Sequence, residues 1–449
     1  MLKQVLMSRF SLRRLGILHR TFLSDAYSCR EAWQARLTTP VLAQVNHDSL
    51  YYELEQKLHQ KAKVSAIDID IYANKMVDDS HIEEVADLMH KFRLTEETSN
   101  TLDSTHHAIV RNYVEHSHYS ELIELLNNRL GYGVFLDDFT SNLTLDRLIT
   151  TNEFKWAARI VTLLGLQEDF TNPITRSLAL YACYRYVKSG EIDHFDDLIP
   201  PPPQEPTEGK KKKKDEIKVR VNFIRNEFFD DHFDIKDTKL LLGKTFFLLG
   251  LNSEGAVGNS SKLLGLVLYE KYSKAVEFVQ TSAGTEINEE VLGLVKTFLG
   301  KHEHKDDEHY VKLVDLLGTA NFGMKVDGGS FEKLLIDGIN RSVEDNEERQ
   351  IEEQKSIYIQ WCELRQHRLE EELARLQRAK RIQEMEKMSR EMEQEEQKLW
   401  FFENEDKLDL QIDSKKVFYP KRWFGKKKKP RVVDEGYIPP EVRQRQGQQ

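Results

Sequence analysis

The chain has 449 residues, of which 39% are hydrophobic and 31% charged, and its formal net charge is −10. Such a length allows two or three domains, and the charge content indicates long solvated segments beside a core. Cys29, Cys183 and Cys362 lie far apart in sequence, which excludes a disulfide framework and a cysteine-based zinc site. No run approaches the 18 apolar residues of a transmembrane helix.

Residues 1–24 differ from the rest of the chain because they contain basic residues and no acid. A helix of this composition would be cationic on one side and apolar on the other, which is typical of a mitochondrial presequence. The continuous apolar centre of a secretory signal is missing. We predict a presequence over residues 1–24, with an ordinary basic arm as the alternative. The basic residues are Lys3, Arg9, Arg13, Arg14 and Arg20.

Residues 44–190 contain a helical unit that recurs about every 35 residues. The segment that begins at Tyr119 aligns with the one at Phe154, 35 residues later, and a looser copy begins at Ile82, 37 residues before Tyr119. Apolar spacing of i, i+3, i+4 and i+7 predicts two helices per unit, and such pairs stack into a solenoid. The predicted buried columns are Ala73/Val110/Leu145, Met76/Tyr113/Leu148 and Val77/Val114/Ile149 in the first helix, and Ile82/Tyr119/Phe154, Val85/Leu122/Ala157 and Met89/Leu126/Val161 in the second.

The centre of the chain divides into a linker and a second helical region. Residues 191–218 combine four consecutive prolines with the lysine run Lys210–Lys214, so we predict an exposed, disordered linker. Helical patterns return over residues 219–330 without a fixed register. We predict degenerate helical repeats there.

Residues 331–408 are predicted to form one long charged helix. The segment is rich in Glu, Lys, Arg and Gln, and oppositely charged residues four positions apart support an isolated helix. The segment keeps a narrow apolar strip, and a helix of this length must either lie along a partner, as in a coiled coil, or stand in solvent. The strip consists of Leu369, Leu373, Leu376, Ile382, Met385, Met388 and Met392.

Residues 409–449 are predicted to form an extended basic tail. Aromatic residues lie between the basic ones, and this composition suits folded RNA because lysine binds phosphate and rings stack on bases. A disordered solubilising tail is the alternative. The predicted RNA-binding residues are Lys415, Lys416, Lys421, Arg422, Trp423, Phe424, Lys426, Lys427, Lys428, Lys429 and Arg431.

No motif for catalysis or cofactor binding is convincing, so we predict neither an enzyme nor a cofactor. Gly243-Lys244-Thr245 is similar to the end of a phosphate-binding loop, but Thr238 stands where that loop needs glycine, and the surrounding pattern is helical. The cluster of His302, His304 and His309 with Asp306 and Asp307 could ligate a metal, but a polar loop between helices has the same composition.

The junction YGVFLDDFTSNLTLDRLI, which begins at Tyr132, resembles the junction of a pentatricopeptide repeat. Together with the basic N-terminus, the long charged helix and the basic tail, it resembles the pentatricopeptide-repeat proteins of the mitochondrial ribosomal small subunit. That resemblance implies an all-α fold, an α-solenoid of helix hairpins. It also implies that base-reading positions fall on His107 with Asp137 and on Asn142 with Asn172, although polar residues at solvent-facing helix ends explain them equally well.

The favoured hypothesis is a structural RNA-binding component of the mitochondrial small ribosomal subunit, located in the matrix. Its expected partners are small-subunit ribosomal RNA and neighbouring ribosomal proteins, with no membrane span and no small-molecule substrate. The alternatives are a free mitochondrial messenger-RNA stability or translation factor and a protein-only helical scaffold.

Overall fold

The computed structural model describes residues 21–168, 170–190, 192, 194–195, 235–281, 286–301, 308–318, 325–327 and 329–415. The chain divides into two compact units, residues 1–371 and residues 372–449. The described part is almost entirely helical, so the predicted all-α class is confirmed. The solenoid interpretation stays a prediction.

The N-terminal half of the first unit is a series of short helices. They are α1 (Arg30–Ala35), α2 (Pro40–Ala43), α3 (His47–His59), α4 (Ala66–Lys75), α5 (Ile82–Arg93), α6 (Asp103–Glu115), α7 (Tyr119–Asn127), α8 (Arg129–Tyr132), α9 (Asp138–Thr150), α10 (Phe154–Gln167) and α11 (Pro173–Lys188). Single 3-10 turns span Asp25–Ser28, Arg36–Thr38, Asp79–His81 and Glu96–Asn100.

The helices of the three predicted repeats pack as hairpins on their neighbours. Within the hairpins α4 contacts α5, α6 contacts α7, and α9 contacts α10. Between the hairpins, α6 contacts α4 and α9, and α9 contacts α11. The first helices of the repeats, α4, α6, α9 and α11, therefore lie side by side. The residues of the predicted columns are buried in one continuous core, except that Phe154 is half-buried and Val77 is exposed.

The prediction that Val77 is buried was wrong. Helix α4 ends at Lys75, and the following Met76 leaves the helical region, with a ψ of 135°. Val77 therefore leaves the helical position that Val114 and Ile149 keep in the later repeats, and it is 54% exposed.

The second half of the first unit contains α12 (Thr238–Leu251), α13 (Gly255–Leu268), α14 (Tyr272–Thr281), α15 (Glu289–Lys301) and α16 (Glu308–Gly318). Two strands that the sequence did not predict, β1 (Glu286–Asn288) and β2 (Lys325–Asp327), form a short parallel pair. Gly243-Lys244-Thr245 lies inside α12, as expected from its apolar surroundings. Phe195, within the predicted linker, is buried, and its amide donates to Thr238 Oγ1 at 3.1 Å.

Glycines allow α12 and α13 to approach closely. A Cβ placed on Gly265 would lie 2.5 Å from the backbone nitrogen of Phe247 and 2.8 Å from the carbonyl oxygen of Gly243. Both atoms belong to the backbone of α12, which cannot move aside as a side chain can. Glycine at position 265 is therefore required by the packing of these two helices.

The last helix, α17 (Phe331–Ser414), has 84 residues and ends six residues beyond the predicted boundary at 408. Its residues up to 371 belong to the first unit. Phe331, Leu335, Ile339 and Val343 are buried at intervals of four residues, which places them on one face. From residue 373 onward the side chains of α17 are exposed, with few exceptions.

Candidate interaction surface on the first helices

Four helices each place a polar residue against α17 at the same position of the repeat. These residues lie on α4, α6, α9 and α11, at intervals of 37, 35 and 35 residues, so they occupy the same position of successive repeats. Their partners on α17 lie at intervals of 7, 8 and 8 residues, in reverse order. The pairs are Asp70 with Arg365, His107 with Tyr358, Asn142 with Gln350, and Ser177 with Ser342.

The step from one repeat to the next matches the step of 7–8 residues along α17 for a geometric reason. Seven to eight residues of α-helix rise about 11–12 Å, and neighbouring packed helices lie about 8–10 Å apart. Helix α17 therefore meets each of the four helices after about two of its own turns. We call these eight residues the ladder.

At one end of the ladder, Asp70 and Arg365 form a buried ion pair. Arg365 Nε donates to Asp70 Oδ2 at 2.6 Å, and the two side chains are 3% and 0% exposed. The other carboxylate oxygen of Asp70 accepts hydrogen bonds from Ser104, Thr105 and Asn74. Removal of either member would leave the other as a buried charge without a counter-charge, so the pair links α17 to α4.

His107 lies in a chain of hydrogen bonds. Its Nδ1 is 2.8 Å from Asp137 Oδ2, and its Nε2 is 3.0 Å from the hydroxyl of Tyr358. Arg111 donates to the same hydroxyl at 2.8 Å and to the carbonyl of Ser28 at 2.7 Å. Burial raises the pKa of Tyr358, so its hydroxyl stays protonated and can donate to His107 Nε2.

Asn142 is fully buried in a second network, which includes the N-terminal segment. Its Nδ2 donates to the hydroxyl of Tyr27 at 2.8 Å, and Tyr27 donates to Gln350 Oε1 at 2.8 Å. Gln350 Nε2 donates to Asn172 Oδ1 at 3.1 Å, and Thr175 donates to Asn142 Oδ1 at 2.6 Å. Two first helices, α17 and the N-terminal segment are thus joined by side-chain amides and hydroxyls.

The N-terminal segment is held by two carboxylates. The backbone amides of Phe22 and Leu23 donate to Asp146 Oδ1 at 2.8 and 3.3 Å, and the amide of Ser24 donates to Glu347 at 2.8 Å. Burial raises the pKa of Asp146 from 3.8 to about 6, although the two amides lower it in part. Leu23 is buried in the core. Residues 22–24, inside the predicted presequence, therefore belong to the folded body.

All four side chains predicted to read bases are engaged within the chain. His107 and Asn142 are buried on the ladder, and Asp137 and Asn172 cap the N-termini of α9 and α11. Asp137 accepts from the amide of Thr140 at 2.7 Å. Asn172 accepts from the amide of Ile174 at 3.0 Å. Their partners here belong to α17, to the N-terminal segment and to the helices' own first turns. The role in base reading that the resemblance implies stays a prediction.

A cleft of about 690 Å³ opens beside these caps, between the first helices and α17. Its lining carries more carboxylates than cations, so the potential in the cleft disfavours a phosphate backbone. The charged lining residues are Asp103, Asp137, Asp138, Glu353 and Arg349.

The remaining predicted sites are placed as follows. Lys415 is exposed and directly follows α17, whereas the other tail residues, 416–431, lie outside the described residues. His302, His304, Asp306 and Asp307 also lie outside them, and His309 is on α16. In the part of the chain that the structure describes, no group of three or more His, Cys, Asp or Glu side chains is arranged to hold a metal ion. None of the described helices is long and apolar enough to cross a membrane.

The fold and the ladder define a class of protein: an all-α protein whose buried polar residues bind its own helices together. The particular family follows from comparison with known proteins. The family model described as mitochondrial 28S ribosomal protein S27 matches residues 1–391, and the chain belongs to this family.

This membership makes the chain a component of the mitochondrial small ribosomal subunit, located in the matrix, with ribosomal RNA and ribosomal proteins as partners. Proteins of such families are generally structural and non-enzymatic.

Proposed function

We propose that this protein is a structural RNA-binding component of the mitochondrial small ribosomal subunit, which supports translation and contacts RNA through its basic C-terminal segment. Family membership supports the ribosomal role. The observation that supports the choice of RNA-binding segment is the ladder, because α17 occupies the repeat positions that would otherwise face a bound strand.

Reading of bases by the repeats would require α17 to leave. The buried Asp70–Arg365 pair, the Tyr358 hydroxyl and the Gln350 amide would all lose their partners in that step. Each buried polar group left unpaired costs about 1–3 kcal/mol, and a buried charge costs more. The acidic cleft beside the caps adds repulsion toward phosphate. A free messenger-RNA reader is therefore the weaker alternative.

The ribosomal assignment is tested by sedimentation of mitochondrial lysate. The protein should travel with the small subunit at high salt. Appearance in light fractions alone would contradict the proposal.

The RNA-binding segment is tested with charge-removing variants of the full chain. Replacing Lys426–Lys429 with glutamine should reduce ultraviolet crosslinking to the small-subunit RNA. The slope of the logarithm of the binding constant against the logarithm of the salt concentration should also become shallower, by an amount that corresponds to up to about four phosphate contacts. The control replaces four lysines of α17 with glutamine and should leave crosslinking unchanged. The control positions are Lys380, Lys387, Lys398 and Lys407. Equal losses in the two variants would refute the assignment to the tail.

We also propose that a targeting segment ends before Phe22 and not at residue 24. Cleavage after residue 24 would remove the two amides that Asp146 accepts from, and it would remove Leu23 from the core. N-terminal sequencing of the protein from purified mitochondria should find a first residue at or before Phe22.

A further inference from the structure

The described part of the second unit, residues 372–415, carries a long apolar strip that no other described residue covers. Its members recur at intervals of 3, 4, 7 and 3 residues, which matches the a and d positions of a heptad. Each is between 54% and 70% exposed. We call them the α17 strip: Met385, Met388, Met392, Leu399 and Phe402.

The spacing places the five side chains on one face of the helix. At 100° per residue, Met385, Met392 and Leu399 lie within about 40° of one another, with Met388 and Phe402 on the same side. Single exposed apolar residues are common on protein surfaces, but an aligned strip of this length marks an interaction site. Glu395 occupies the one heptad position that is not apolar, between Met392 and Leu399.

The charge around the α17 strip indicates which partner fits. Residues 381–406, which extend the α17 strip by one helical turn at each end, contain nine acidic and four basic residues, a formal charge of −5. RNA is disfavoured, because its phosphates would face this charge. A second copy of the same helix is disfavoured for the same reason, since like charges at flanking positions oppose pairing.

On these grounds we infer that the α17 strip docks a helix of another protein, one with an apolar strip of its own and basic residues on the flanks. A lysine or arginine of that helix faces Glu395, where it also fixes the register. The methionines suit this role because their flexible side chains adapt to a neighbouring surface. The inference rests on the proposed ribosomal function, since the partner is a neighbour of this chain in the particle.

Site-specific photocrosslinking of the full chain tests this inference. A benzophenone amino acid at position 399 reports on the α17 strip, and the same group at Gln394 reports on the opposite face, because the two positions differ by 500°, or 140° around the helix. Both positions are exposed. We expect a protein adduct from position 399 and none from 394, and the captured chain should have an excess of lysine and arginine.

Two sets of substitutions check that the adduct depends on the α17 strip. With the benzophenone at position 402, the triple change Met388→Gln, Met392→Gln and Leu399→Gln should weaken capture of the same chain at least about tenfold, since several apolar anchors are lost together. The control triple removes exposed apolar residues from other faces of the helix and should change capture less than about twofold. It consists of Trp400→Gln, Phe401→Gln and Ile412→Gln.

Four outcomes would overturn the inference: an adduct to RNA, an adduct to a second copy, an adduct to the chain's own residues 416–431, or equal yields from positions 399 and 394. Sedimentation separates this failure from failure of the proposed function. If the chain travels with the small subunit but gives one of these outcomes, the ribosomal role stands and only the inference is lost.

Discussion

Arg365 on α17 donates through Nε to Asp70 Oδ2 on α4 across 2.6 Å, and the two residues are separated by 295 positions in the sequence. Both side chains are shielded from water, so the pair is stable only while both members are present. It fixes one end of the ladder, and it makes the position of α17 sensitive to a single charge.

Replacing Arg365 with methionine should destabilise the protein by about 3–5 kcal/mol, because Asp70 would remain as a buried charge without a counter-charge. Adding Asp70→Asn should recover part of this loss, since asparagine can still accept from Ser104 and Thr105. Urea denaturation of the single and double variants measures the coupling. The exposed pair of Arg368 with Glu371 provides the control: Arg368→Met should cost less than about 1 kcal/mol. Equal effects of the two arginine changes would contradict the account.

Asp146 gives the stability a dependence on pH with a defined sign. Burial raises its pKa to about 6 in the folded protein, above the value of 3.8 expected when exposed. The folded state therefore holds this proton more tightly than the unfolded state, so the contribution is complete below pH 4 and is lost as the pH rises through 6. Two pKa units correspond to about 3 kcal/mol.

The variant Asp146→Asn should therefore be more stable than the natural protein at pH 7.5, by up to about 3 kcal/mol, because the amide oxygen still accepts from Phe22 and Leu23. Its free energy of unfolding should also vary less between pH 4 and pH 7. Denaturant titrations across this range test both statements. The exposed Asp345 is the control, and Asp345→Asn should change the free energy of unfolding at pH 7.5 by less than about 0.5 kcal/mol. A loss of stability in Asp146→Asn at pH 7.5 would show that the ionised form is favoured.

The hydroxyl of Tyr358 joins α17 to two side chains of α6. Tyr358→Phe would leave Arg111 Nη1 and His107 Nε2 without this partner in a buried site, at a cost of about 1–3 kcal/mol. Tyr52 is 66% exposed, and Tyr52→Phe should change the free energy of unfolding by less than about 0.5 kcal/mol. Thermal and urea unfolding of the two variants compare them directly. A Tyr358→Phe variant as stable as Tyr52→Phe would mean that water replaces the hydroxyl.

The sequence predicted the helix pairs well because their apolar columns repeat locally. Leu122 and Ala157 in the second helices, and Val110 and Leu145 in the first, are all buried where the 35-residue register places them. The error at Val77 has a local cause, an early helix end, that an apolar pattern does not record. The strands β1 and β2 escaped prediction because three residues are too few to show an alternating pattern.

The ladder could not be predicted from either set of residues alone. Asp70, His107 and Asn142 suggest ligand binding because they are polar at one repeated position, and α17 is dominated by charge, which is typical of a solvated helix. One signal was present: Phe331, Leu335, Ile339 and Val343 recur every four residues, and Tyr358 and Trp361 continue the apolar face. The sequence does not show which residue of α17 pairs with which repeat, because the partners are 165 to 295 positions apart and their pairing depends on how all the helices stack.

The close contact of α12 and α13 gives a test in which one substitution has opposite effects at two sites. Gly265→Ala should destabilise the protein by about 1–3 kcal/mol, because the new methyl group would meet the backbone of Phe247 and Gly243. In Gly293→Ala, on α15, the methyl group meets no atom within 4 Å beyond its chain neighbours and the adjacent backbone of its own helix, and alanine is the better helix former by about 1 kcal/mol. That variant should be slightly more stable than the natural protein. Thermal unfolding compares the two, and a shift of the same sign in both would contradict the packing of α12 against α13 described above.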